Sequence, residues 1–172
     1  RDSSSSVLNA VIHQGKKLSY NHMMDADGAL ACIKEFEDPA CVIVKHTNPC
    51  GVAIGEDLLD VYERACAADS MSAFGGVVAL NRHCSKQLAE EIMKVFIEIV
   101  IAPSFDPEAL IEFKKKKNLR VLAIKNMEKK EDLLEIKNID GGILVQDKDE
   151  KQLTPDDLNI VTIKQPLSLI HI

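Results

Sequence analysis

The stretch ACVIVKHTNPCGVA, residues 40–53, decides how this chain is read. It begins as a run of β-branched and small apolar residues, Ala40 to Lys45, of the kind that forms a strand covered on both faces. It then places an ammonium and an imidazole side by side, at Lys45 and His46. Asn48 before Pro49 favours an extended or turn conformation, and Pro49 and Gly51 are strong stop signals. Neighbours within a strand point to opposite faces, so both side chains enter one cleft only if the strand stops there. In open α/β sheets ligands bind beyond the carboxyl ends of strands, which makes KHTNPCG a candidate site. A histidine capping a strand-end carbonyl, with Lys45 reaching to water, fits the same residues.

Outward from this stretch, helical and strand patterns alternate. DADGALACIKEFED from Asp25 sets Ala26, Leu30, Ile33 and Phe36 at helical spacing. EDLLDVYERACAAD from Glu56 carries acids in its first turn and an apolar stripe through Leu58, Leu59, Tyr62, Ala65 and Cys66. GGVVALN (Gly75–Asn81), IEIVIA (Ile97–Ala102) and LRVLAI (Leu119–Ile124) read as buried strands. GGILVQD (Gly141–Asp147) reads as a fifth strand without an obvious place in the sheet. Between them, Ser85 is the expected N-cap of SKQLAEEIMKVF, and Asp106 with Pro107 at the next position opens DPEALIEFKKKK. The lysine run Lys114–Lys117 reads as a solvated helix end. The charged segment Asn126–Asn138 reads as a surface excursion. Strands separated by single helices predict βαβ units, a mixed or mainly parallel sheet, and a three-layer α/β/α sandwich.

Bulk properties narrow the function. The chain has 172 residues, 46% hydrophobic content and a net charge of −6. That suits one ordinary core and argues against nucleic acid or an acidic membrane as the main partner. No run of about eighteen apolar residues predicts a membrane span, and the first residues lack a signal-peptide apolar core. Five cysteines without a CxxC pair read as reduced thiols of a cytosolic protein.

Three stretches can carry chemistry. In the first, His46 and Cys50 stand four apart, but the deaminase zinc pattern needs H-x-E and a later P-C-x-x-C, and neither is complete. No metal site is expected. Cys50 beside His46 reads as a small buried thiol more readily than as a nucleophile. The second is SMSAFGGVVAL (Ser70–Leu80), where Gly75 and Gly76 either let backbone approach a ligand or serve a turn with positive φ. The third is Glu98, a carboxylate between Ile97 and Ile99. It is costly there unless paired or used, or else it marks an edge position facing water.

Together, LSYNHMMDADGAL, VKHTNPCGVA, SMSAFGGVVALNR, IEIVIAPSFDPEAL, KKKKNLRVL and GGILVQD resemble, in collinear order over Val7–Pro166, the first half of a transformylase domain. That domain belongs to a family of bifunctional purine biosynthesis enzymes, which combine AICAR formyltransferase with IMP cyclohydrolase. The resemblance implies a cytidine-deaminase-like α/β/α subdomain without zinc over residues 1–166; residues 167–172 (the LSLIHI of PLSLIHI) follow no cap or strand logic and read as a non-native tail. It implies formyl transfer from 10-formyltetrahydrofolate, as co-substrate, to the 5-amino group of AICAR. His46 matches the family's catalytic histidine, which also contacts substrate, and Lys45 its neighbouring lysine. Gly75 matches a nucleotide-contacting glycine, and Glu98 an acidic nucleotide-binding position. Folate-binding residues, the nucleotide-phosphate segment and the cyclohydrolase domain are expected outside this stretch, and the full protein is expected to be a cytosolic homodimer. The chain alone is expected to be inactive and prone to associate. A non-catalytic binding domain of the same fold, or a zinc deaminase, are the alternatives.

Overall fold

The computed structural model describes residues 5–125, 127, 134–149, 157, 159 and 161. The expected tail, residues 167–172, and the boundary before it lie outside the described residues. The chain divides into two compact units, Arg1–Lys129 and Lys130–Ile172.

In the first unit a short 3₁₀ turn, Val7–Asn9, leads into β1 (Val11–Gln14), α1 (Tyr20–Ile33), β2 (Ala40–Lys45) and β3 (Asn48–Ile54). Then follow α2 (Leu58–Ala68), the single turn α3 (Ser70–Ala73), β4 (Gly76–Leu80), α4 (Lys86–Ile92), β5 (Ile97–Ala102), α5 (Pro107–Phe113) and β6 (Arg120–Ala123). The six strands form one mixed sheet in the order β1-β6-β5-β4-β2-β3. Strands β4, β5 and β6 are parallel, whereas β1, β2 and β3 run antiparallel to their neighbours.

Alternation along the strands builds a core on each face. Val42, Val44, Val77, Ala79, Ile99 and Ile101 pack with Ala26, Ala29, Leu30 and Ile33 of α1. Cys41, Ile43, Val78, Leu80, Val100 and Ala102 pack with Val61, Tyr62 and Ala65 of α2, Leu88 and Ile92 of α4, and Phe113 of α5. Two helical layers thus enclose the sheet, as the three-layer reading expects. Burying both faces of β2, β4 and β5 is why these strands read as continuous apolar runs.

Two strands differ from the sequence reading. NPCGVAI, in which Pro49 and Gly51 read as stop signals, is β3. It tolerates Pro49 because β3 is an edge of the sheet, where an absent N–H is not missed. Its register slips one residue between Ile43↔Gly51 and Val44↔Pro49, leaving Cys50 as a bulge. VIHQ was not anticipated either. It is β1, four residues long and mostly exposed, and its Gln14 amide donates to three carbonyls, of Phe113, Lys116 and Leu119, at the end of α5.

Helix starts show the same mixture. Ser85 caps α4 through a 3.2 Å bond from the Leu88 N–H, as expected. Asp106 occupies the N-cap position of α5, where its carbonyl accepts the Leu110 N–H, but its side chain makes no bond to that helix; the carboxylate accepts from the Lys86 N–H at the start of α4 and from His83. The His83 bond holds the Asp106 carboxyl below its ordinary pKa. Helix α1 begins at Tyr20, five residues before the expected acidic start. The lysine run is only partly solvated, because the Lys116 ammonium donates to the Met93 and Val95 carbonyls beyond α4.

In the second unit, β7 (Leu134–Ile139) and β8 (Gly142–Asp147) form an antiparallel hairpin with every residue exposed. The expected fifth strand therefore sits in a two-stranded sheet of its own, and part of the expected surface excursion is its partner. Asp140-Gly141 makes the turn, with Gly141 at φ 76°. No helix among the described residues is long and apolar enough to cross a membrane.

Gly51 allows β3 to lie close against α2: a Cβ there would stand 2.0 Å from the Ala65 carbonyl oxygen. Gly51→Ala is expected to destabilise the fold by about 2–3 kcal/mol in urea titration, through forced displacement of strand or helix backbone. A variant as stable as the parent would show that the edge strand is not fixed on α2.

Candidate active site

The turn between β2 and β3 contains only two residues, His46 and Thr47, and both have positive φ (53° and 64°). Lys45 and Asn48 flank it as the last pair of the ladder. Two-residue hairpin loops favour this left-handed pair because it matches the strand twist, and Asn-Gly is the usual choice. A β-branched threonine there is strained.

The strain is held by neighbouring groups. The Asp25 carboxylate of α1 accepts the Thr47 N–H at 2.8 Å. The Thr47 hydroxyl and the Asn48 amide both donate to the His46 carbonyl. Gly28 of α1 lets the Thr47 carbonyl approach; a Cβ on it would meet that oxygen at 3.1 Å. The strand therefore stops where the sequence reading placed the stop, but His46 and Thr47 make it, not Pro49 and Gly51.

This turn opens onto a cleft of about 440 Å³, a size suited to a small organic ligand. Lys45, His46, Gly75 and Glu98 all line it, so the four residues singled out in the sequence meet in one place. Lys45 donates to the Phe74 carbonyl at 2.7 Å, which draws its ammonium to the cleft edge. Gly75 is a turn residue at φ 76°, and its N–H bonds the Phe96 carbonyl at 2.7 Å. Phe74 and Phe96 add an aromatic pair with centroids 5.2 Å apart. Asp69 caps α3 through Ser72, and those bonds hold its carboxyl below the ordinary range.

Glu98 corrects the edge reading, since β5 lies between β4 and β6 in the middle of the sheet. The β4–β5 register slips between Gly76↔Ile97 and Val77↔Ile99, which makes Glu98 a bulge. Ile97 packs with the α2 face and Ile99 with the α1 face. Glu98 between them reaches His22 of α1 at 2.8 Å. The sequence reading missed His22 and Asp25 as site residues. Ser19 followed three residues later by His22 is a capping box with an unusual partner, and its hydrogen bonds are present.

The cleft's position also departs from the strand-end rule. Lys45 ends β2, but β2 is antiparallel to β4, so the cleft sits at the amino ends of β4 and β5. At their carboxyl ends, Cys84 and Phe105 bridge, the Cys84 N–H bonds the Ser104 carbonyl, and the Asp106 N–H bonds the Cys84 carbonyl.

Cys50 is absent from the cleft lining; its thiol lies 3.5 Å from the Ile43 carbonyl, and burial pushes its pKa up. That suits a packing thiol, not a nucleophile. Among the described residues, no three His, Cys, Asp or Glu side chains are grouped so as to hold a metal ion.

The structure is thus an α/β protein whose mixed sheet carries, at one end, a cleft lined by an imidazole, an ammonium and a carboxylate. The family model described as AICARFT/IMPCHase bienzyme matches residues 1–169, and the chain belongs to that family. It is 45% identical over 162 residues to the bifunctional purine biosynthesis protein PurH of Caldicellulosiruptor saccharolyticus, covering 94% of this chain and 31% of that protein. It is 50% identical over 152 residues to PurH of a Thermoanaerobacter species, covering 88% and 30%. The chain thus spans about a third of the length of these relatives. Among solved structures, Acinetobacter baumannii RibD, form 2, aligns with a TM-score of 0.44 at 15% identity, over 62% of this chain and 36% of that one.

Two substitutions test how the turn is held. Asp25→Ala is expected to lower stability by about 1–2 kcal/mol, by leaving the Thr47 N–H without its carboxylate. Thr47→Gly is expected to raise it by about 1 kcal/mol, by removing left-handed strain. Thermal denaturation checks both, and a destabilising Thr47→Gly would show that the turn is not strained.

Proposed function

We propose that the chain supplies the first half of a formyltransferase site, which moves a formyl group from 10-formyltetrahydrofolate to the 5-amino group of AICAR in purine biosynthesis. The observation that carries this reading is the convergence of Lys45, His46, Gly75 and Glu98 on one nucleotide-sized cleft. Family membership and the PurH relatives support it.

The chemistry explains the residue types. The amine of AICAR is conjugated with its ring and carboxamide and is a poor nucleophile. As its nitrogen attacks the formyl carbon, the His46 imidazole takes the proton that the amine loses. Negative charge builds on the formyl oxygen, and the Lys45 ammonium stabilises it. Collapse of that adduct breaks the bond to the folate nitrogen, which takes the proton back from the His46 imidazolium and leaves as tetrahydrofolate. The new amide keeps the formyl group. Gly75, with no side chain over its backbone, lets the nucleotide lie close. Glu98 accepts hydrogen bonds from ribose hydroxyls or an amine.

In this reading the folate-binding residues and the cyclohydrolase activity belong to other parts of a longer polypeptide. That polypeptide works as a cytosolic homodimer, and the present chain does not turn over alone. The test is formyl-AICAR production by a full-length PurH-type polypeptide carrying this segment. His46→Ala is expected to lower kcat about 10²- to 10⁴-fold, and Lys45→Met about 10²- to 10³-fold, with folding retained. Unchanged turnover in the His46 variant would overturn the assignment and favour a binding role for the domain.

A further inference from the structure

Glu98 is held by a side chain to which the proposed reaction gives no task. His22 occupies the third position of α1, with its Nδ1 3.1 Å from the Ser19 N–H and 2.7 Å from the Ser19 hydroxyl. A backbone N–H can only donate, so Nδ1 accepts. In the neutral ring the proton then sits on Nε2, which is 2.8 Å from Glu98 Oε2. Both ring nitrogens are thereby committed. The His22 side chain is 18% exposed and that of Glu98 39%, and both line the cleft, the carboxylate being the more open of the two.

We infer that His22 is a positioning residue, which holds one oxygen of Glu98 so that the other is presented to a hydroxyl or amine of the bound ligand. The inference rests on the reading of this cleft as a site for a nucleotide bearing an amine. Without such a partner, the bulge that frees Glu98 from the ladder also frees its side chain to turn into solvent. Binding then has to order it at a cost in affinity. The capping box fixes the ring from the other side, so the start of α1 and the ligand-facing oxygen of Glu98 are set by one imidazole.

The experiment must separate positioning from capping. His22→Glu keeps an ordinary capping-box residue but sets a like charge against Glu98. His22→Gln keeps both an acceptor for Ser19 and a donor for Glu98. In the full-length polypeptide carrying this segment, the Glu variant is expected to raise KM for AICAR about tenfold with kcat within about twofold. The Gln variant is expected to stay within about threefold of the parent in both. In a Glu98→Ala background, His22→Glu is expected to add nothing. On the chain itself, nitrogen NMR of the imidazole is expected to show the proton on Nε2 at neutral pH. A proton on Nδ1, equal effects of the Glu and Gln variants, or independent effects of His22 and Glu98 would each overturn the inference. Absence of any AICAR turnover by the parent would instead overturn the functional reading, and the NMR tautomer would still decide the His22 geometry.

Discussion

A two-residue reversal in left-handed backbone, His46-Thr47, is the constraint from which the site follows. A regular strand would send Lys45 and His46 to opposite faces. The reversal ends β2 between them, so Lys45 keeps its strand position while His46 swings out over the sheet edge. That geometry is unfavourable for a β-branched residue and is kept because Asp25, Gly28 and Asn48 close around it. Helix α1 is thus more than one layer of a sandwich. Its first two turns hold the turn through Asp25 and the carboxylate through His22.

Irregular backbone gathers at the cleft end of the central strands. The Cys50 bulge, the Glu98 bulge, the left-handed Gly75 and the left-handed turn all occur there. Above them the strands run in register, with alternating side chains buried on both faces. The opposite ends of β4 and β5 are closed by backbone hydrogen bonds and by the His83–Ser104 and His83–Asp106 contacts. The packed core provides rigidity, and departures from the ladder aim side chains into the opening.

Much of this was legible in the sequence. The buried strands β2, β4 and β5 announced themselves as continuous apolar runs because both faces are covered, and Ser85 marked a helix start through ordinary capping chemistry. Lys45, His46, Gly75 and Glu98 were recognisable by type and by resemblance. The direction of β2 was not legible, since a short apolar run looks the same parallel or antiparallel. That is why the cleft, at the carboxyl end of β2 as expected, lies at the amino ends of the parallel strands β4 and β5. Pro49 misled because a proline reads as a stop unless the strand is known to be an edge. His22 was hidden because histidine is not the usual third residue of a capping box, and its partner Glu98 is 76 positions away. Asp106 sat at the right position for a cap but serves the neighbouring helix, which only tertiary structure decides.

The proposed function requires a nucleotide to sit at the amino ends of β4 and β5, against the reversal. The most direct measurement is the footprint of AICAR on the isotope-labelled chain, read as amide and imidazole shifts during titration. The account predicts perturbations at His46, Thr47, Gly75 and Glu98, with His83, Ser104 and Asp106 unmoved. Perturbations confined to the His83–Asp106 end, or a saturating titration that leaves His46 and Gly75 unchanged, would contradict it.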